Sequence, residues 1–284
     1  MGSNLRRSLV FLACGVSVAA LAGCPRGGER DVKRSANRLE LAKDFLKNQQ
    51  LPQAEQEAEK ALEYDDSNVE AHNVLGLVDY LRALNNFKLL EIDDCLTGVD
   101  AEALRSEQDG FLTSADKRFA RAVELQPGYG EGWANRGAVA LLLEEYDAAS
   151  KHLTRALGTP QTLLNIGLTR ANLGWAYFHL GDHAQAAKEL RQAEQFNPGM
   201  CVAKYRLGRV YFDRKEWNKA LDQFTAVTQN SACPMQEAHL YLSKTYGELG
   251  MNEEAAGAQS RCIEMAPKSC LAAQCRAPVA GSVP

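Results

Sequence analysis

The sequence is poor in residues that break helices or build strands. Only 9 of its 284 residues are proline, aromatic residues make up 7%, and no stretch alternates β-branched with polar residues. Alanine, leucine, glutamate and glutamine are abundant instead, and these residue types favour helices. A hydrophobic fraction of 45% beside 24% charged residues is typical of a folded chain. The composition therefore predicts an all-α fold.

The chain also lacks an excess of positive charge. Its formal net charge is −4, and loss of the N-terminal segment that contains Arg6 and Arg7 would change it to −6. A general nucleic-acid binder needs a basic face that neutralises phosphates. The sequence therefore predicts no nucleic-acid partner and no polybasic membrane patch.

A long apolar run occurs at the N-terminus. Arg6 and Arg7 precede an apolar segment over residues 9–20, which is too short for a comfortable membrane span. Residues 21–24, Leu-Ala-Gly-Cys, resemble the lipobox of bacterial lipoproteins. The alternative is an ordinary secretory signal that happens to contain a cysteine.

The lipobox resemblance implies a processed and lipidated N-terminus. Residues 1–23 would be the signal peptide, and the thiol of Cys24 would carry a diacylglycerol. Pro25 follows where an Asp would favour retention in the inner membrane, so we expect an outer-membrane anchor with the body facing the periplasm. Residues 24–34 would then comprise the lipidated cysteine and a flexible tether.

Residues 35–267 show an internal repeat. Small residues recur at positions 8 and 20 of each copy and a bulky residue recurs at position 24, with the position-20 alanines at Ala54, Ala115, Ala149, Ala186, Ala220 and Ala255. The pattern resembles the tetratricopeptide repeat, a helix–turn–helix unit of about 34 residues. The resemblance implies a right-handed superhelical solenoid of six repeats, whereas an irregular helical bundle would not explain the period.

One repeat is interrupted. The first two position-20 alanines are 61 residues apart, whereas the later spacings are 34 to 37 residues. The difference indicates an insertion of 27 residues within repeat 2, at about residues 83–112. The insertion either packs back on the array, extending the first helix of its repeat, or forms a surface loop.

The concave surface of such an array comes mainly from the first helix of each repeat. In repeats 2 to 4 its positions give an apolar groove with asparagines, formed by Asn73, Leu77, Tyr80, Asn135, Ala138, Leu141, Leu142, Asn172, Trp175 and Phe178. In repeats 5 and 6 the same positions give a charged face, formed by Arg206, Arg209, Asp213, Lys244 and Glu248. The apolar half is the predicted binding site for a hydrophobic segment, although Trp175 and Phe178 could instead pack between neighbouring helices.

Six cysteines remain after the N-terminal segment, and an exported body favours disulfides over thiols. Cys201 and Cys233 lie at successive turns between repeats, so we predict that they pair. Cys262 should pair with Cys270 or Cys275, while Cys95 is expected to be too far along the array to reach any of these. Zinc is the competing explanation, but the C-x-x-C pairs of zinc sites are missing.

No catalytic centre is indicated. The five histidines are scattered over the repeats and none lies beside an evident nucleophile. We therefore expect no enzyme activity, no cofactor and no small-molecule substrate. After the repeats, residues 268–284 should form a short cap near Cys270 and then a disordered tail.

A lipobox followed by six repeats resembles the type IV pilus pilotins, and within that family the Tgl-like branch of gliding myxobacteria. The resemblance implies an outer-membrane lipoprotein that binds secretin subunits and assists their insertion and multimerisation. The alternative is a repeat scaffold for outer-membrane barrel assembly or cell-envelope synthesis.

Overall fold

The computed structural model describes residues 28–159 and 163–277. This part of the chain contains thirteen α-helices, one π-helical segment and no β-strand. The helices are α1 (Glu29–Lys47), α2 (Leu51–Tyr64), α3 (Val69–Phe87), α4 (Val99–Leu125), α5 (Gly130–Leu142), α6 (Tyr146–Leu157), α7 (Ile166–His179), α8 (His183–Phe196), α9 (Cys201–Asp213), α10 (Trp217–Thr228), α11 (Gln236–Glu248), α12 (Asn252–Met265) and α13 (Cys270–Cys275).

The helices form six hairpins that stack in chain order. Each odd-numbered helix from α1 to α11 packs against the even-numbered helix that follows it, and each even-numbered helix packs against the next hairpin. The odd-numbered helices also contact one another in sequence. The predicted all-α solenoid of six repeats is therefore confirmed, and the odd-numbered helices line one face of it.

Within a hairpin, a glycine on the first helix receives a bulky side chain from the second. A Cβ atom added to Gly76 would lie 2.6 Å from the ring of Phe119, and one added to Gly208 would lie 2.6 Å from the ring of Phe224. The alanine at position 20 is buried in all six repeats. Helices approach this closely only where a side chain is missing, so these small residues determine the pairing.

The first helix begins earlier than expected. The sequence predicted a flexible tether up to residue 34, but α1 starts at Glu29, so this prediction is wrong for residues 29–34. Glu29 and Asp31 lie in the first turn, where acidic residues interact favourably with the helix dipole. Arg34 forms an ion pair with Asp31 at 3.2 Å, and its guanidinium lies over the ring of Tyr64. The contact with Tyr64 connects the first turn of α1 to α2.

The insertion in repeat 2 is helical and is not a surface loop. It lengthens both helices of its hairpin, and a π-helical segment (Lys88–Asp93) continues directly from α3. Leu90 in that segment and Leu112 on α4 are buried, and Asn86 donates a hydrogen bond to the carboxylate of Glu107 at 2.9 Å. Leu112 packs in one cluster with Phe119 of the same hairpin and Val139 of α5, so the insertion extends the core between repeats 2 and 3.

The glycine packing predicts opposite effects for two substitutions of the same kind. Gly208→Ala should destabilise the protein by about 1–3 kcal/mol, because the new methyl group overlaps Phe224. Gly257→Ala on α12 is the control: its Cβ has open space, so the helix should gain about 0.5–1 kcal/mol. Urea unfolding measures both. Equal effects of the two substitutions would contradict this account of the packing.

Candidate protein-binding groove

The residues predicted for the groove lie on three consecutive odd-numbered helices, α3, α5 and α7, that contact one another. Asn73 and Phe178 are buried and the other eight are half-buried. The structure therefore brings these residues onto one face, where they serve both as contacts between repeats and as its partly accessible surface.

The asparagines join neighbouring repeats. The amide of Asn135 donates to Oδ1 of Asn73 at 2.8 Å, and the guanidinium of Arg206 donates to Oδ1 of Asn172 at 2.8 Å. An amide has two donor hydrogens and one acceptor oxygen, so each of these bonds leaves part of the group available. The asparagines can therefore hold the helices in register and still contact a bound peptide backbone.

A cleft of about 640 Å³ opens at the N-terminal end of this face. Its middle is apolar, from Leu46, Val74 and Leu77, and its rim carries the charges of Lys43 and Glu131. A concave, largely apolar cavity with a few charged groups at its edge is typical of a site for an apolar segment. The remaining lining residues are Lys47, Glu70, Asn73, Tyr129, Leu163 and Leu164.

Part of this cleft was missed in the sequence. Lys43, Leu46 and Lys47 occupy positions 9, 12 and 13 of repeat 1, the same positions that selected the groove residues in later repeats. Applying that rule to repeat 1 would have found them. Leu163 and Leu164 belong to the connection before α7, and no periodic signal marks them.

The charges at the rim are tied to the local fold. Burial raises the pKa of Glu131, and the backbone N–H of Leu164, which donates to its carboxylate at 3.0 Å, acts in the opposite direction. Burial likewise raises the pKa of Tyr129. Lys43 pairs with Glu70 at 2.5 Å, so this charge links repeat 1 to repeat 2 across the cleft.

At the other end of the face, aromatic rings and cations are interleaved. Trp175 and Phe178 stack with their centroids 4.7 Å apart, and the guanidinium groups of Arg206 and Arg209 lie 5.4 and 5.6 Å from the Trp175 ring. The sequence predicted separate apolar and charged halves. The structure instead has the arginines of repeat 5 lying directly over the aromatic residues of repeat 4.

Three disulfides occur in the described part of the chain. Cys201 is bonded to Cys233, and Cys262 is bonded to Cys275. Cys95 is bonded to Cys270, 175 residues away in the chain. The expectation that Cys95 could not reach the other cysteines is therefore wrong.

Two features bring Cys95 to the end of the array. It lies at the tip of the elongated α3–α4 hairpin, and the curvature of the solenoid brings the cap helix α13 into contact with the π-helical segment of that tip. Asp94 and Lys268 form an ion pair at 3.6 Å beside the bond. The covalent link closes repeats 2 to 6 into a ring.

Several expected features concern residues outside the described part of the chain. The signal peptide, Cys24 and the residues after 277 fall outside it. Among residues 28–159 and 163–277, no group of histidine, cysteine, aspartate or glutamate side chains could hold a metal ion. In the same ranges no helix is long and apolar enough to cross a bilayer.

Comparison with known families supports the repeat assignment. Residues 39–83 and residues 169–199 each match a model of the tetratricopeptide repeat. The fold is a tetratricopeptide repeat solenoid. Proteins of this kind generally act as protein-interaction modules, and no catalytic family matches the chain. No curated protein matches its sequence.

Solved structures show the same architecture over most of the chain. PilW, described as a widely conserved type IV pilus biogenesis factor, superposes with a TM-score of 0.67 at 18% identity, covering 84% of this chain and 97% of PilW. PilF of Pseudomonas aeruginosa superposes with a TM-score of 0.65 at 15% identity, covering 86% and 97%. YrrB, a repeat protein with an unusual peptide-binding site, gives 0.50 at 20% identity, covering 76% and 96%.

The disulfides predict a graded loss of stability. In the chain-entropy model a cross-link contributes more when it closes a longer loop. Replacing Cys95 and Cys270 by serine should therefore cost about 1.5 kcal/mol more than replacing Cys201 and Cys233, whose sequence separation is 32. Denaturant unfolding of the two double variants tests this, and a larger loss for Cys201 and Cys233 would contradict it.

Proposed function

We propose that this protein is an outer-membrane lipoprotein of the type IV pilus pilotin kind, with the Tgl-like proteins as its branch. Cys24 would carry the lipid, and the repeat body would face the periplasm. There it would bind secretin subunits and assist their insertion and multimerisation for pilus assembly. Its role would be that of a binding protein without an enzymatic reaction.

One observation carries the proposal. The solenoid superposes on PilW and PilF over 84% and 86% of its own length and 97% of theirs, so the likeness extends over the whole array. The lipobox at residues 21–24 and the three disulfides add support, because disulfides persist in exported proteins.

The groove suggests how such a protein would work. A secretin subunit carries apolar segments that become embedded in the lipid bilayer. These segments must be shielded from water before they reach the membrane. The cleft formed by Leu46, Val74 and Leu77 has the size and apolar character to cover part of such a segment. A lipid anchor at Cys24 would keep that cleft close to the membrane surface.

Substitution in the cleft tests binding, with circular dichroism of the purified variant as the check on folding, because Leu46 also packs against the core of repeat 1. In a strain without the native gene, Leu46→Asp should lower the amount of heat-resistant secretin multimer, because a carboxylate enters the apolar cleft. Met265→Asp is the matched control, since Met265 is 41% exposed on the last repeat. Immunoblots of unheated and heated samples measure the multimer.

The outcome of the gene deletion decides the proposal. If multimers form normally at the outer membrane without the protein, the secretin proposal fails. Recovery of barrel-assembly or cell-wall enzymes with the wild-type protein, and not with Leu46→Asp, would then favour the envelope scaffold.

Cys24 provides a test of the anchor. Cys24→Ser should abolish incorporation of labelled palmitate and release the protein from the membrane fraction, because no lipid can be attached. The repeat body should remain folded by circular dichroism. Palmitate incorporation by the Cys24→Ser variant would disprove lipidation at this residue.

A further inference from the structure

Three basic side chains converge on the groove face of the last three repeats. Arg206 and Arg209 lie on α9, and Lys244 lies on α11. Together with the rings of Trp175 and Tyr241 they form what we call the arginine–aromatic cluster.

The rings hold the cations close together. The guanidinium of Arg209 lies 3.8 Å from the centroid of Tyr241, and Nζ of Lys244 lies 4.8 Å from the same centroid. Arg206 and Arg209 share the ring of Trp175 in the same way. Cation–π contacts stabilise these positions without neutralising any charge.

None of the three cations forms an ion pair with an acidic side chain in the described part of the chain. Arg206 donates to the neutral amide of Asn172 and Arg209 donates to the hydroxyl of Tyr205 at 3.1 Å. Nε of Arg209 is buried and has no hydrogen-bond partner. In a chain with a net charge of −4, three adjacent cations without a counter-ion are unusual.

Acidic residues do lie on the same helices. Asp213 and Glu248 are one turn further along α9 and α11 from Arg209 and Lys244, but they form no ion pair with either of them. The sequence predicted one mixed charged face from these residues together with Arg206. The structure separates the cations, which gather over the rings, from the carboxylates.

The arrangement carries an electrostatic cost. Burial lowers the pKa of Arg206 to about 10, and burial together with the charge of Arg209 lowers the pKa of Lys244. Partly buried like charges destabilise a fold unless an anion compensates them. A bound carboxylate would supply that compensation through the accessible nitrogens of the cluster.

We infer that the arginine–aromatic cluster binds an acidic segment of a partner polypeptide. Carboxylates of the segment accept hydrogen bonds from Arg206, Arg209 and Lys244, and a neighbouring apolar side chain packs on the exposed part of Trp175. The planar guanidinium fork matches a carboxylate with two parallel hydrogen bonds.

Two observations favour a polypeptide over an anionic polymer such as polyphosphate. Apolar ring surface lies directly beside the cations, and polyphosphate has no group that packs on it. The amide of Asn172 lies beside Arg206 on the same face, and an amide suits a peptide backbone. The cluster also continues the groove face that begins at the apolar cleft, so one extended segment could occupy both.

The inference rests on the proposal that the groove binds a polypeptide, but it does not require that the polypeptide be a secretin. Its test therefore uses synthetic peptides and the purified protein with its disulfides intact. Failure to assemble secretin in cells would leave this result unaffected.

The probe is a short fluorescent peptide in which Asp and Leu alternate, with its C-terminus amidated. A matched peptide carries Asn in place of Asp, and unlabelled polyphosphate serves as a competitor. Fluorescence anisotropy should show binding of the Asp peptide that weakens as salt is added, and much weaker binding of the Asn peptide.

Substitutions identify the site. Arg209→Gln and Lys244→Gln should each weaken binding about tenfold or more, as expected for the loss of a charge-assisted hydrogen bond. Arg261→Gln removes the same kind of charge from an arginine whose side chain is 72% exposed on α12, and it should leave affinity unchanged. Circular dichroism checks the fold, and Lys244→Gln removes no hydrogen bond among residues 28–159 and 163–277.

Three results would overturn the inference. The first is equal affinity for the Asp and Asn peptides, and the second is an equal loss in Arg261→Gln and Lys244→Gln. The third is displacement of the peptide by polyphosphate at matched charge, together with direct binding of polyphosphate that depends on Lys244. That last result would assign the cluster to an anionic polymer.

Discussion

The middle of the array depends on one contact, in which a bulky side chain of the second helix packs on a glycine of the first. It occurs in the four central repeats, where Gly76, Gly137, Gly174 and Gly208 face Phe119, Leu153, Leu190 and Phe224. The end repeats replace it: Ala42 and Ala58 pack together in repeat 1, and the hydroxyl of Ser243 donates to the carbonyl of Ala255 in repeat 6. Because this contact sets the spacing of the four central hairpins, it also determines which residues of their first helices face the groove.

Features governed by contacts within one repeat could be predicted from sequence. The six small-residue positions, the cap near Cys270 and the helical option for the insertion all follow from local spacing. The bond between Cys95 and Cys270 could not be predicted in this way. The curvature of a solenoid accumulates from small rotations between neighbouring repeats, and no single motif encodes their sum. The early start of α1 was missed because residues 29–34 lack an apolar period and are held by the helix dipole and by Arg34.

The groove also combines features that local spacing predicts with features that depend on how neighbouring repeats are rotated. Position numbers within the repeat selected residues that lie on consecutive first helices, since every first helix presents the same positions. They could not show that Arg206 and Arg209 lie over Trp175, because that contact depends on how repeat 5 is rotated on repeat 4. The face therefore combines an apolar cleft at one end with cations over aromatic rings at the other, a combination suited to a polypeptide with both kinds of residue.

The bond between Cys95 and Cys270 also imposes an order on maturation. Its two residues are separated by 175 positions, so Cys95 is made long before its partner exists. During synthesis Cys201, Cys233 and Cys262 all appear before Cys270, and each is a wrong partner for Cys95. Correct pairing therefore depends on the folded array, because only there does the cap helix α13 contact the π-helical tip of the repeat-2 hairpin.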